Sequence, residues 1–437
     1  MNKKEFSRRR MYLSEQMGPN SIAILPSASM KARNRDVDYP FRQDSDFFYL
    51  TGFNEPDAVL VIVPGRAHGE SILFCRERDP AKEMWDGYIM GPERVNELTG
   101  IDDAFPISDI DDILPGMIEG TDKVFYSMGL DATFDAKVME WINIIRSKIR
   151  SGAHPPGEFV ALEHALHELR LFKSAAEIKV MAEAAEISAK AHVEAMKICR
   201  PGLYEYHLES AIQHVCANHG ARFNAYPSIV GSGENACILH YIENSAKLKD
   251  GDLVLIDAGC ELDCYASDIT RTFPVSGRFS LEQRMLYQIV LDAQYAAIDA
   301  VKPGNHWNHP HEAAVRVLTQ GLIQLGLIKA SLDDAIDKEL YKPFYMHRTG
   351  HWLGLDVHDV GEYKVGGEWR LLEPGMVLTV EPGLYIAPTN KDVAKKWRGI
   401  GIRIEDDVLV TKTGCRVLTK DVPKEIAEIE NLMAGDL

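Results

Sequence analysis

The chain has 437 residues, 46% hydrophobic and 26% charged, with a formal net charge of −17, and that length predicts two domains rather than one core. An ordinary composition without low-complexity tracts excludes extended disorder. The acidic balance argues against nucleic-acid binding, which needs clustered Lys and Arg, and no segment approaches the ~18 apolar residues of a membrane span.

The N-terminus, MNKKEFSRRRMYLSEQM, is basic and lacks the apolar stretch of a secretory signal, so a cytoplasmic protein is expected. Seven cysteines without a C-x-x-C pair fit reduced thiols. Cys260 and Cys264 flank an expected hairpin turn and read as packing residues. Short β-like runs at Val59 to Val63 and Ile72 to Phe74 alternate with helical stretches, which predicts an α/β N-terminal domain. Ala153-His154-Pro155-Pro156-Gly157 breaks the chain, and the boundary is set between residues 172 and 173.

The second domain, 173–437, opens at Ser174 and Glu177, which have capping-box spacing. Ile178, Met181, Ala182 and Ala185 make one apolar face of a helix that persists to Pro201-Gly202. Another helix, with Leu208, Ala211, Ile212 and Val215 on one side, is expected to end near Gly220. The order then returns: Ser280 and Gln283 have capping-box spacing, a helix runs to Pro303-Gly304, and the next spans Pro310 to Gly326.

A gapless internal match underlies this return. Leu248, Gly251 and Asp257-Ala258-Gly259 align on Leu372, Gly375 and Glu381-Pro382-Gly383 at a constant offset of 124 residues. Each copy is a turn with Gly, a β-run and one carboxylate. So long a period is not a solenoid repeat; it implies two half-domains related by a pseudo-twofold axis that brings the carboxylates together.

Asp257 ends an apolar run, where a charge needs compensation. Asp268 is expected on the antiparallel partner strand, across a Glu261-Leu262-Asp263 turn. Two acids on facing strands repel unless a cation lies between them. Glu381 repeats the situation, and Glu405 follows in a further β-like run, making four acids on four strands. With an imidazole from His351, the set suits Mn, Co, Fe or Zn in a two-metal site, not a thiolate zinc site. Singly, each acid is more often a cap or ion-pair partner than a ligand. Three histidines between His347 and His358 exceed what packing requires, whereas His240 alone reads equally well as a core residue.

The four acids, His351 and His358 lie in Asp257-Ala258-Gly259, Ser267-Asp268-Ile269-Thr270-Arg271-Thr272-Phe273, His351-Trp352-Leu353-Gly354-Leu355-Asp356-Val357-His358-Asp359, Thr379-Val380-Glu381-Pro382-Gly383-Leu384-Tyr385 and Gly401-Ile402-Arg403-Ile404-Glu405-Asp406. Through them the chain closely resembles the aminopeptidase P family of pita-bread metallopeptidases. The N-terminal Tyr39-Pro40-Phe41-Arg42-Gln43 and Thr51-Gly52-Phe53-Asn54-Glu55-Pro56 resemble that family's N-domain. The resemblance implies an α/β N-terminal domain followed by an α+β pita-bread catalytic domain with the internal pseudo-twofold repeat. It implies two divalent ions per chain, usually manganese, with Asp257 bidentate on one, Asp268 and Glu405 bridging, and His351 and Glu381 completing the other. A water or hydroxide between the ions would be the nucleophile, with Glu381 also its general base. His240 and His358 match outer histidines that support the scissile carbonyl. His347, Tyr385 and Arg403 match positions on the proline side, and Trp85 matches an N-domain tryptophan that reaches an active site, sometimes a neighbouring subunit's. The expected reaction is release of the first residue from peptides with proline second, by a homodimer or homotetramer. Arg348 departs from the family pattern beside the pocket. Prolidase, a noncatalytic binding module and a metal-free creatinase-like hydrolase are the rivals, and the five intact ligands count against the last two.

Overall fold

The runs around Val59 and Ile72 form antiparallel neighbours in the computed structural model, Val59–Ile62 against Ser71–Cys75. They belong to a six-stranded sheet of mixed direction. Ser21–Pro26 pairs antiparallel with Val59–Ile62 and parallel with Lys123–Phe125. Asp103–Pro106 and Glu158–Val160 complete the edges in parallel. Because strand side chains alternate between faces, Ile22 and Ile24, Val59 and Val61, and Ile72 and Phe74 share one face. That face packs on Leu114, Val138, Trp141 and Ile145 of the helices Ile110–Ile118 and Ala132–Ser147.

Residues 1–435 are described, and they divide into two units, the first ending at Arg170 and the second beginning at Leu171. The proline-rich break at 153–157 is irregular, but the chain then rejoins the first unit's sheet as its edge strand.

The second unit opens with the helix Ala175–Ile198, whose Ser174 and Glu177 form the capping box the spacing predicts. Such a cap contributes about 1 kcal/mol. Glu205–Asn218 follows, and Gly220 adopts φ 91°, the left-handed region that glycine alone enters without strain. The second pair of helices, Leu281–Asp299 and His309–Gln324, repeats the arrangement with a Ser280 and Gln283 box. Leu281–Asp299 stops four residues short of Pro303, which can neither bond nor tolerate the carbonyl four residues before it.

Each half contributes one ladder to the centre. Leu253–Asp257 lies between Ile229–Ser232 and Thr270–Pro274, with Asp257 facing Thr270. Val377–Val380 pairs with Asp406–Val410 so that Val380 faces Asp406. Beyond those points each ladder hands over to another, Cys260–Leu262 with Tyr265–Ala266 and Gly383–Ile386 with Ile400–Arg403. One hydrophobic core runs through both halves, including Ile256, Phe273, Val380 and Ile404.

The hand-over corrects the expectation of four acids on four strands. Only Asp257 lies within a strand. Asp268, Glu381 and Glu405 occupy the junctions, where the ladder is interrupted and a side chain turns out of the packed sheet. The hairpin after Asp257 also turns one residue later than expected, at Asp263 and Cys264, with φ 48° and 66°.

Candidate metal centre

A strand of leucine, valine and isoleucine, buried on both faces, can end in an acid only where the sheet gives way to a cavity. Asp257 does so, 9% exposed, and Asp268 and Glu405 are buried more deeply still. The hydrogen bond from Glu405 N to Thr270 O, 3.0 Å, ties the second half's junction to the first half's strand. Glu381 N donates to Thr349 O at 2.8 Å, and Thr379 N donates to His351 O at 3.0 Å. Thus His351 is held against the strand Val377–Val380, which leads directly into Glu381.

Two glycines permit the backbones to close around these junctions. A Cβ on Gly259 would lie 1.7 Å from Ser267 O, and one on Gly350 would lie 2.0 Å from Thr379 O.

Asp268, His351 and Glu405 present ligand atoms within 4.8 Å of one another. His351 Nε2 stands 3.4 Å from Asp268 Oδ2 and 4.0 Å from Glu381 Oε1. Its Nδ1 is 3.0 Å from Trp352 O, which makes Nδ1 the donor and leaves the Nε2 lone pair toward the acids in the neutral ring. Asp257 joins through Tyr226, whose hydroxyl lies 2.6 Å from Asp257 Oδ1 and 2.5 Å from Asp268 Oδ1.

Electrostatics test whether this set suits cations. For the polypeptide alone, burial and then repulsion from Asp268, Glu381 and Asp257 push the Glu405 carboxyl far up. Burial lifts Glu381 to about 7, against the opposing charges of His351 and Arg403. Asp268 is raised by burial and by Asp257, although His351 pulls the other way. Burial depresses the His351 imidazole, yet Asp268 and Glu381 outweigh it and carry it to about 9. Asp268, Glu381 and Glu405 are all pushed toward the neutral form, so this cluster calls for positive charge among its carboxylates. Oxygen donors with one imidazole nitrogen are the chemistry of catalytic divalent ions. The residues fit such ions.

The four acids and the His351 imidazole lie on a cavity of about 930 Å³ whose wall also carries His240, His347, His358 and Arg403. His358 packs against His351 with ring centroids 4.2 Å apart. Burial, then the positive charges of His351 and His240, lowers its pKa and favours the neutral ring. Arg403 donates to Asp257 Oδ2 at 2.7 Å and to the Tyr385 hydroxyl at 2.9 Å. Tyr385, receiving that bond, donates onward to His347 Nε2 at 2.9 Å, and His347 Nδ1 donates to Arg348 O at 2.7 Å. The proline-side trio is therefore one directed chain. Trp85 belongs to the first unit, on the short helix Pro80–Asp86, and is 86% exposed beside Met84 and Tyr88.

Sequence reasoning missed four contributors. Tyr226 touches two of the acids but sits alone in an irregular segment, with no pattern to mark it. Thr270, whose hydroxyl bonds Glu405 Oε2 at 2.6 Å, lies inside the Asp268 motif. Asp407 accepts from Asp268 N at 3.1 Å and follows Glu405 by two residues. Glu205, fully buried, takes hydrogen bonds from Ser232 N and Oγ, Asn235 Nδ2, Tyr241 OH and Ala246 N. That carboxylate braces the segment bearing His240.

The family model of the M24 metallopeptidases matches residues 179–412, and that of the aminopeptidase P N-terminal domain matches residues 6–126. The Xaa-Pro aminopeptidase of Escherichia coli K12 is 48% identical over 436 residues, covering 100% of this chain and 98% of the relative. Xaa-Pro aminopeptidase 3 of Rattus norvegicus is 36% identical, over 95% of this chain and 81% of its own length. Among solved structures, Pseudomonas aeruginosa aminopeptidase PepP superposes with a TM-score of 0.98 at 64% identity, over 100% of this chain and 98% of that one. A zinc-substituted E. coli aminopeptidase P in complex with product gives a TM-score of 0.97 at 47% identity, over 100% and 99%.

Proposed function

We infer the activity from the premise that this chain belongs to metallopeptidase family M24 and carries an aminopeptidase P N-terminal domain ahead of a pita-bread catalytic domain. It is a metal-dependent hydrolase. Its reaction is release of the N-terminal residue from peptides with proline second. The observation that carries this reading is the convergence of four acids and His351 at one cavity whose wall bears His240, His347 and His358.

Asp257, Asp268, His351, Glu381 and Glu405 would hold two divalent ions, and their oxygen-rich donor set supports manganese. Such ions supply Lewis acidity, polarising a carbonyl and making water acidic enough to attack near neutral pH. Glu381 takes the attacking water's proton on a carboxylate oxygen and passes it toward the leaving proline nitrogen. His240 and His358 donate N–H to the carbonyl oxygen as negative charge grows there. The proline nitrogen has no N–H, so peptidases that read an extended backbone handle it poorly. Here the His347, Tyr385 and Arg403 chain presents a rigid wall for the ring instead, with Arg403 fixed by Asp257. The peptide's N-terminal amine is drawn to the acid cluster.

No helix among the described residues is long and apolar enough to cross a membrane, which supports a cytoplasmic enzyme. The exposed Met84, Trp85 and Tyr88 support a homo-oligomer in which Trp85 reaches a neighbour's substrate. The test is product analysis on Xaa-Pro dipeptides, longer Xaa-Pro peptides, Xaa-Ala analogues and N-acetylated controls. Release of the first residue from free Xaa-Pro peptides of both lengths is expected. Cleavage of dipeptides alone, or equal cleavage of Xaa-Ala peptides, would overturn the reading.

A further inference from the structure

The cavity wall has two arginines, and they are employed differently. Arg403 is buried and spent on Asp257, Tyr385 and Thr270. Arg348, next to His347, is exposed. Its guanidinium lies over the Trp369 ring, with Cζ 5.3 Å from the centroid, and donates to the Asn308 side-chain oxygen. Asn308 is itself held by a 2.6 Å bond to Glu312 Oε1. Both partners of Arg348 are neutral, and no carboxylate among the described residues pairs with it. A guanidinium has five N–H donors in a planar fork matched to a carboxylate. This one is steadied by a ring face and an amide while its charge stays uncompensated.

We propose that Arg348 is a specificity residue that binds a carboxylate on the residue following proline, which rests on the peptidase reading above. A peptide with its proline ring on His347 continues past it, and Arg348 is the adjacent residue on that wall. The carboxylate can be the C-terminus of a tripeptide or an acidic side chain in third position. The enzyme then favours short Xaa-Pro peptides, or longer ones with Asp or Glu third. The chemistry is charge-assisted bidentate pairing. Because the site is open to water, the preference is modest, about fivefold in kcat/KM.

The Mn(II)-loaded enzyme is assayed on Ala-Pro-Leu and its C-terminal amide, and on Ala-Pro-Glu-amide and Ala-Pro-Gln-amide. Preference for the free acid in the first pair assigns the C-terminus, and for Glu in the second pair the side chain. In the wild type either preference should fade as salt rises from low to molar, since exposed pairs are screened. Arg348→Gln should bring both ratios close to one, mainly through KM, and Arg348→Lys should keep part of the preference. Wild-type ratios near one in both pairs, or ratios unchanged in Arg348→Gln, overturn the role of Arg348 while leaving the peptidase reading standing. Failure of the wild type to cleave any of the four peptides overturns both.

Discussion

Replacing Gly259 with alanine separates what folds this protein from what loads it with metal. The added Cβ would meet Ser267 O at 1.7 Å and Ser267 C at 2.6 Å, where real contacts begin near 3.0 Å. Both obstacles are backbone, so the segments must part by about 1.3 Å, the difference between those two distances. They are joined by Ala258 N to Ile269 O at 3.0 Å and Ser267 N to Cys260 O at 3.1 Å, so neither can move alone. Overpacking of this kind costs ~1–3 kcal/mol, which a domain of this size survives with a Tm lower by about 2–12 °C. Ligand distances, however, tolerate only about ±0.2 Å. Asp257 lies two residues before Gly259 and Asp268 directly follows Ser267, so the separation falls on both ligands. Thermal unfolding with elemental analysis after Mn(II) loading and desalting reads both effects. The expected variant is folded, somewhat less stable, and has lost at least half of its metal. Wild-type metal content and activity would refute the close-approach argument.

Glu205→Gln should destabilise the second unit by about 2–4 kcal/mol, because an amide nitrogen cannot accept from the donors around one carboxylate oxygen, and it should lower kcat through His240; unchanged urea unfolding contradicts this. Asp406 is buried against Arg271 at 2.7 Å, both fully enclosed, with Lys424 also at 2.7 Å. Burial opposes its ionisation, but Arg271 and Lys424 outweigh burial and hold its carboxyl at about 2. Since the folded pKa lies below the unfolded one, its stabilisation is complete above pH ~4 and is lost as pH falls toward ~2. The stability gap between wild type and Asp406→Asn, about 3–5 kcal/mol with Arg271 left unpaired, should therefore hold from pH 7 to 4 and shrink below, as followed by urea midpoints; a gap that grows on acidification refutes the pairing. Metal uptake at pH 7 should release protons, because His351 at about 9 is protonated and Glu381 at about 7 is partly so. Calorimetry in buffers of different ionisation enthalpy measures this, and proton release that does not fall by pH 9.5 would contradict it.

The acids were legible because they recur at a fixed offset, Asp257 against Glu381, at the ends of apolar runs where burial would otherwise forbid them. Their exact setting was not. A junction between two ladders looks, in sequence, like continuous strand, so Asp268, Glu381 and Glu405 read as strand residues. Helix starts were legible from Ser174 and Ser280, whose hydroxyls must satisfy free N–H groups. Helix ends were overextended. Pro201 and Pro303 act backwards on the carbonyls four residues earlier, which is why Ala175–Ile198 and Leu281–Asp299 stop before them. Tyr226 and Glu205 left no trace, since a lone tyrosine and one glutamate at a helix start acquire their roles only from residues brought near by folding. The directed chain from Arg403 through Tyr385 to His347 is equally a product of tertiary contact, although family resemblance had marked all three.

The most direct measurement is release of the first residue from Ala-Pro-Leu by metal-stripped enzyme titrated with Mn(II), alongside Glu381→Gln. The account predicts negligible cleavage without metal, activity that develops as two ions bind per chain, and a Glu381→Gln variant that still binds peptide but turns over at least a hundredfold more slowly. Full turnover by stripped enzyme, or near-normal turnover by Glu381→Gln at any metal loading, would contradict it.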